Sequence, residues 1–262
     1  MTVGSMVEGA RVDIYPGDGP PLLLVHGFLS SRAQWRANLQ ALGTVCRPVT
    51  LELLGHGRSE SPEDPDGYRV GAYMRRFEAV RAMLGAERWF VCGQSFGAGL
   101  TLRYALDFPE RVIGQVFTNS LSGVLPTRGT PEAREAQASD IAARGQAALE
   151  NMDHYPRPAL RLPEAHWRGI LDDAALLSPL GVAHGVRVTI PELSVAGRLS
   201  EIAVPTLLVN GRRETRFQPV RDDIAREIPG VEIVDLDGGH SINIGRPDGF
   251  NAAVTEFVAR LS

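Results

Sequence analysis

The chain has 262 residues, 44% of them hydrophobic and 22% charged, with a formal net charge of −4. That length suits one domain that buries its own core, the charge without any basic cluster among aromatics points away from a nucleic-acid partner, and two cysteines are too few for a disulfide framework. No apolar run approaches the ~20 residues of a membrane span, and the N-terminal residues lack the positive start and apolar run of a secretion signal, so a cytosolic protein without membrane association is expected.

Taken in chain order, residues 11–15 and 21–25 read as strands. The second, Pro21-Leu22-Leu23-Leu24-Val25, is an unbroken apolar run of the kind covered on both faces of a parallel sheet. It leads into His26-Gly27-Phe28, where the amide after the His-Gly pair can point into the space above the strand ends. His26 itself is expected to bond loop carbonyls rather than take part in chemistry. Residues 35–42 read as a short helix, and 48–53 as a strand followed by a Gly-His-Gly turn. Residues 70–84 carry Tyr73, Phe77, Val80 and Leu84 at helical spacing. Residues 89–92 form a strand that runs into Gly93-Gln94-Ser95-Phe96-Gly97, with a helix-like stretch at 98–107. A strand, a tight turn bearing a serine, then a helix is the context of a nucleophile elbow. Glycine on both flanks lets the backbone fold sharply there, and the helix N-terminus favours developing negative charge. Residues 112–118 read as the next strand.

Between 119 and 203 the rhythm breaks. This stretch is far longer than the dozen or so residues that a crossover needs. It holds helix-like pieces at 130–152 and 163–178, separated by Tyr155-Pro156-Arg157-Pro158. Strands at 205–210 and 231–236 follow. Glu214 falls just past the first, and the second ends in Gly238-Gly239-His240. Pro247 opens a last helix that ends near Leu261. Alternating strands and helices predict an α/β fold, a mostly parallel central sheet with helices on both faces.

A serine hydroxyl is a poor nucleophile at neutral pH and needs an imidazole to take its proton, with a carboxylate to hold that ring's tautomer. Ser95, His240 and Glu214 supply the set. They occur in the order nucleophile, acid, histidine that goes with this kind of fold. The amides of Phe28 and Phe96 would form the oxyanion hole. Asp235 and Asp237 are reserve acids, on a strand feeding His240 from which they can point away. Cys92 reads as a small core residue rather than a second nucleophile. No zinc spacing or dinucleotide fingerprint is present, so neither a metal nor a cofactor is expected.

The chain resembles the α/β-hydrolase superfamily over nearly its whole length. The resemblance rests on four motifs in order: His26-Gly27-Phe28, Leu54-Gly55-His56-Gly57-Arg58-Ser59, Gly93-Gln94-Ser95-Phe96-Gly97 and Gly238-Gly239-His240. Two departures stand out. Glu214 occupies a place where many relatives carry Asp, and the elbow reads Gln-Ser-Phe. Another acid location used by relatives, after the strand that follows the elbow helix, holds Thr118-Asn119-Ser120 and no carboxylate. The resemblance implies a core of residues 1–119 and 204–262, with residues 120–203 as a helical lid. Met152, Tyr155 and Trp167 from that lid would line an acyl pocket, and Arg157, Arg161 or Arg168 could grip a substrate carboxylate. His154, His166 and His184 are expected on the surface or in lid packing. A small-molecule substrate is implied: a hydrophobic carboxylic ester, thioester or lactone, cleaved through an acyl-enzyme. Relatives use the same triad for C–C bond hydrolysis or for elimination on keto-enol substrates. A non-catalytic receptor on this fold is a further alternative. Haloalkane dehalogenation is disfavoured, because those relatives need aspartate where Ser95 stands.

Overall fold

The computed structural model describes residues 2–159 and 162–262. The chain opens on a hairpin, Val3–Val7 (β1) and Ala10–Ile14 (β2), turned by Glu8 and Gly9 with φ of 46° and 80°. Two successive left-handed residues give a turn whose twist suits that of the paired strands. β1 is an outer strand with exposed Val3 and Met6, so no alternation in the sequence announces it.

The remaining strands are Pro21–Val25 (β3), Arg47–Leu51 (β4), Trp89–Gly93 (β5), Val112–Thr118 (β6), Thr206–Gly211 (β7) and Glu232–Leu236 (β8). They form one eight-stranded sheet in the order β1-β2-β4-β3-β5-β6-β7-β8. β1 and β2 pair antiparallel, as do β2 and β4, and every other pairing is parallel. Side chains alternate between the two faces along each strand. Leu23 and Val25 therefore pack with Tyr73, Phe77, Val80, Leu100 and Ile224 on one side, while Leu22 and Leu24 pack with Trp35, Phe250, Val254 and Phe257 on the other.

The core helices follow from this arrangement. Arg36–Leu42 (α1) and the C-terminal helix cover the second face, whereas Val70–Met83 (α2) and Phe96–Asp107 (α3) cover the first. Each is continuous where the apolar spacing predicts it, and a 3₁₀ turn at Arg32–Trp35 precedes α1. Cys46 and Cys92 are buried in the second layer, and burial pushes the Cys46 thiol up to about 12.

The break after β6 contains Leu121–Val124 (α4), Pro131–Arg144 (α5), Gln146–Leu149 (α6), Glu164–Asp173 (α7), Pro179–His184 (α8) and Ile190–Glu192 (α9). The helix-like stretch 130–152 is thus interrupted, because Gly145 adopts φ 59°. Ala138, Ile141, Leu149, Leu177, Val182 and Val186 make a third apolar cluster that reaches Leu29 of the core. The insertion is tied down where Ser31 Oγ donates to Asp173 at 2.8 Å and Ser178 N donates to Gly55 O at 2.9 Å. Gln218–Glu227 (α10), Ile242–Gly245 (α11) and Pro247–Leu261 (α12) complete the chain.

One consequence of the strand order positions the site. Leaving β3 the chain moves outward to β4, then returns past β3 to β5. The loops at the carboxyl ends of β3 and β5 therefore diverge, opening a crevice between neighbours whose last residues, Val25 and Gly93, are paired.

Candidate active site

Ser95 sits at that crevice with φ 52° and ψ −115°. A non-glycine residue held there stores on the order of 1–3 kcal/mol of strain, which surrounding contacts must sustain. They do so closely. A Cβ at Gly97 would overlap the carbonyls of Val25 and His26, and one at Gly93 would overlap the Gly97 backbone. The two flanking glycines are thus required by how near α3 approaches β3 and β5. Ser120 Oγ donates to the Ser95 carbonyl at 2.6 Å, bracing the turn from the end of β6.

His240 arrives on the loop after β8, and its Nδ1 lies 2.9 Å from Glu214 Oε2. Both side chains are partly buried. Burial alone would raise the Glu214 carboxyl, but the hydrogen bond and charge of His240, with Asn119 adding to them, hold it below the usual glutamate range. An ionised Glu214 selects the Nδ1–H tautomer of His240 and leaves Nε2 unprotonated. The turn that carries Glu214 is fixed by Asn119, which donates to Gly211 O at 3.0 Å and accepts from Gly211 N at 2.9 Å. Asp235 is occupied by Asn210 and Arg221, and Asp237 by Arg213 and Arg246, so neither reserve acid is paired with the histidine.

Phe28 and Phe96 lie side by side, their rings stacked with centroids 5.1 Å apart. Among the described residues neither backbone amide has a protein acceptor. The loop carrying Phe28 is held by two buried histidines. His26 Nε2 accepts from Leu53 N at 3.1 Å, and its Nδ1 donates to Gly27 O at 2.8 Å. His56 Nε2 accepts from Leu29 N at 3.1 Å, with Nδ1 donating to Leu54 O at 2.9 Å. Burial depresses both rings, to about 3 for His26 and about 4 for His56, so they are neutral cross-links. Gln34 adds a third tie by accepting from Gly27 N at 3.1 Å.

Ser95, His240, Gln34, Gln94 and Phe28 line one cavity of about 420 Å³, within the ordinary range for small-molecule sites. Its outer wall comes from the insertion: Tyr155, Leu162, Trp167 and Ile170. Met152, expected to line the pocket, lies just past the end of α6 and packs instead against the insertion's own apolar cluster. Arg157 lines the cavity while donating to Glu150 O at 2.9 Å. Arg168 is engaged with Glu164 and lies over the Trp167 ring. Arg161 lies outside the described residues.

Four residues take parts that the sequence does not announce. Gln94, next to Ser95, donates to the His240 carbonyl at 3.3 Å and so links elbow and histidine loop. Asn119 and Ser120, noticed only as positions without a carboxylate, brace the Glu214 turn and the elbow. His154, expected on the surface or in lid packing, is exposed but stacks on His240. The other two insertion histidines do not reach the cavity; His184 is buried against Tyr68.

A family model described as alpha/beta hydrolase fold matches residues 20–151, just over half of the chain. The chain belongs to the α/β-hydrolase family. As an enzyme of that family it is similar to a Bacillus subtilis (strain 168) protein provisionally named 2-succinyl-6-hydroxy-2,4-cyclohexadiene-1-carboxylate synthase, 24% identical over 271 residues that span 100% of this chain and 98% of the other. It is similar also to haloalkane dehalogenase 2 of Mycobacterium bovis, 27% identical over 258 residues covering 92% and 88% of the two chains. Among solved structures, the enol-lactonase of Burkholderia xenovorans LB400 matches with a TM-score of 0.79 at 22% identity, over 98% of this chain and 99% of that one. The last likeness is one of fold. No helix among the described residues is long and apolar enough to cross a membrane.

Proposed function

We propose that the enzyme is a serine hydrolase that cleaves a small hydrophobic carboxylic ester, thioester or lactone through an acyl-enzyme. The observation that carries this reading is the shared cavity: Ser95 on its strained elbow and His240, backed by Glu214, line one mostly apolar space. His240 takes the proton of Ser95 as the hydroxyl attacks the acyl carbonyl, and Glu214 stabilises the imidazolium. The amides of Phe28 and Phe96 receive the oxyanion; losing one such donor costs about 10²- to 10³-fold in turnover. His240 returns the proton to the leaving group, and water repeats the cycle to free the acid.

Residues 120–203 act as a lid on a core of 1–119 and 204–262, with Tyr155 and Trp167 shaping the acyl pocket. Two buried free cysteines are in keeping with a reducing, cytosolic setting. A second reading, elimination or C–C bond cleavage on a keto-enol substrate by the same residues, draws support from the name of the Bacillus relative.

Hydrolysis of p-nitrophenyl esters of graded acyl length, wild type beside Ser95→Ala, separates the readings. Serine-dependent release supports acyl transfer, and its chain-length optimum sizes the pocket. Folded protein that releases nothing from any ester turns the assignment toward the keto-enol reaction.

A further inference from the structure

The His154 ring lies parallel to that of His240, centroids 5.3 Å apart and planes inclined by 22°. We propose that His154 is a positioning residue for His240, covering one face of the base and supporting full turnover only while its own ring is neutral. This rests on the reading of His240 as the general base.

The backbone carries the first argument. His154 has φ 68°, a left-handed conformation uncommon outside glycine. Elsewhere in the insertion this conformation falls to Gly129, Gly145 and Gly197. Among the described residues, four other than glycine adopt positive φ: Glu8 at the hairpin turn, and Leu29, Ser95 and His154, which all line the cavity. Strain of this kind is held where a side chain must be aimed. At His154 it aims an imidazole across the ring of His240.

Chemistry carries the second. Two neutral imidazoles stack favourably, and the stacked ring covers one face of His240. During attack by Ser95 the His240 ring becomes cationic. A charged His154 at this separation would oppose that change, slowing the reaction about tenfold. The groups facing His154 are His240 from the loop after β8, Glu214 from the loop after β7 and its neighbour Asp153, with Arg157 in the same cavity. Partial desolvation of the stacked ring first, then His240, depress the His154 ring against the pull of Asp153 and Glu214, so it is neutral at pH 7 and takes its proton on acidification.

The test measures kcat/KM for p-nitrophenyl acetate from pH 5 to 9 in wild type, His154→Phe and His154→Gly, with Ser95→Ala in parallel. His154→Phe keeps a flat ring and cannot titrate. It should retain most of the rate at pH 8, and its acid limb should be shallower than that of wild type, in which the proton on His154 removes up to about a further tenfold. His154→Gly relieves the backbone and removes the ring. It should melt at or above the wild-type temperature yet lose about 3- to 10-fold in kcat, the scale of one aromatic stack. A reading free of turnover follows the His154 ring protons by NMR: in His240→Ala their titration midpoint should move up in pH. Phe and wild-type profiles that superimpose, a Gly variant with full kcat, or a midpoint unmoved by His240→Ala each overturn the inference. If Ser95→Ala hydrolyses as wild type does, the parent assignment fails instead.

Discussion

Four of the six histidines form two ring pairs, and the pairs have opposite fates. His26 and His56 lie 5.4 Å apart, tilted by 50° and sealed in the core, with all four ring nitrogens bonded to backbone. His154 and His240 lie at nearly the same separation but at the cavity wall, where one ring meets a carboxylate. What divides them is solvent access and partner. A buried imidazole whose nitrogens serve fixed amides and carbonyls has no lone pair to offer and cannot afford a charge. A part-exposed imidazole backed by Glu214 keeps Nε2 free for a proton. The first pair holds the loop on which the proposed oxyanion hole would depend, while the second would carry out the proton transfer.

The largest effect should come from the second pair. His240→Ala is expected to lower turnover by about 10⁴- to 10⁶-fold with an unchanged melting temperature, measured by steady-state kinetics and circular dichroism. A comparable loss of stability would blur the contrast between pairs. Next in size, Glu214→Gln should cost about 10²- to 10⁴-fold through the wrong tautomer of His240, whereas Asp235→Asn should leave turnover within about twofold of wild type. Equal losses in both would mean that the acid's identity rests on more than the 2.9 Å contact.

The first pair should show itself in stability. Its rings stay neutral in the folded chain down to about pH 3 for His26 and about pH 4 for His56, whereas in the unfolded chain they take protons below about 6.5. The unfolded state therefore binds more protons in that window, and stability falls as pH drops from 6.5 toward 4, by up to about 2.7 kcal/mol per pH unit for two groups. His56→Phe should halve that slope and cost about 1–3 kcal/mol at pH 7 through the orphaned Leu29 amide. Chemical denaturation across pH measures both. The smallest contrast lies in the insertion: Trp167→Ala should raise KM for longer acyl esters, while Met152→Ala should lower the melting temperature and leave KM in place.

Much of the sheet was legible because its strands are buried on both faces. Such strands appear as short apolar runs bounded by turn residues, as at 21–25, and β6 begins and ends where the pattern predicts. The outer strand β1 was not, since an exposed edge has no core face to impose alternation; its only signal was the Glu8-Gly9 turn. Ser95, Glu214 and His240 stand at the ends of readable strands, so their approach follows from the fold. The braces do not. Gln34, Gln94, Asn119 and Ser120 act through contacts between residues distant in the chain, which local sequence does not encode. His154 was hidden for the same reason, and because a histidine in a left-handed turn has no periodic signature. Met152 was misassigned because an apolar residue near a proline-rich break fits a pocket and a helix seam equally well.

The most direct test of the central claim is covalent capture of the nucleophile. The enzyme would be treated with a fluorophosphonate, digested and read by mass spectrometry, with His240→Ala and Glu214→Gln beside wild type. The account predicts a single adduct on the peptide containing Ser95, formed far more slowly in both variants. A folded wild-type protein that stays unlabelled at Ser95, or that labels there at the same rate without His240, would contradict it.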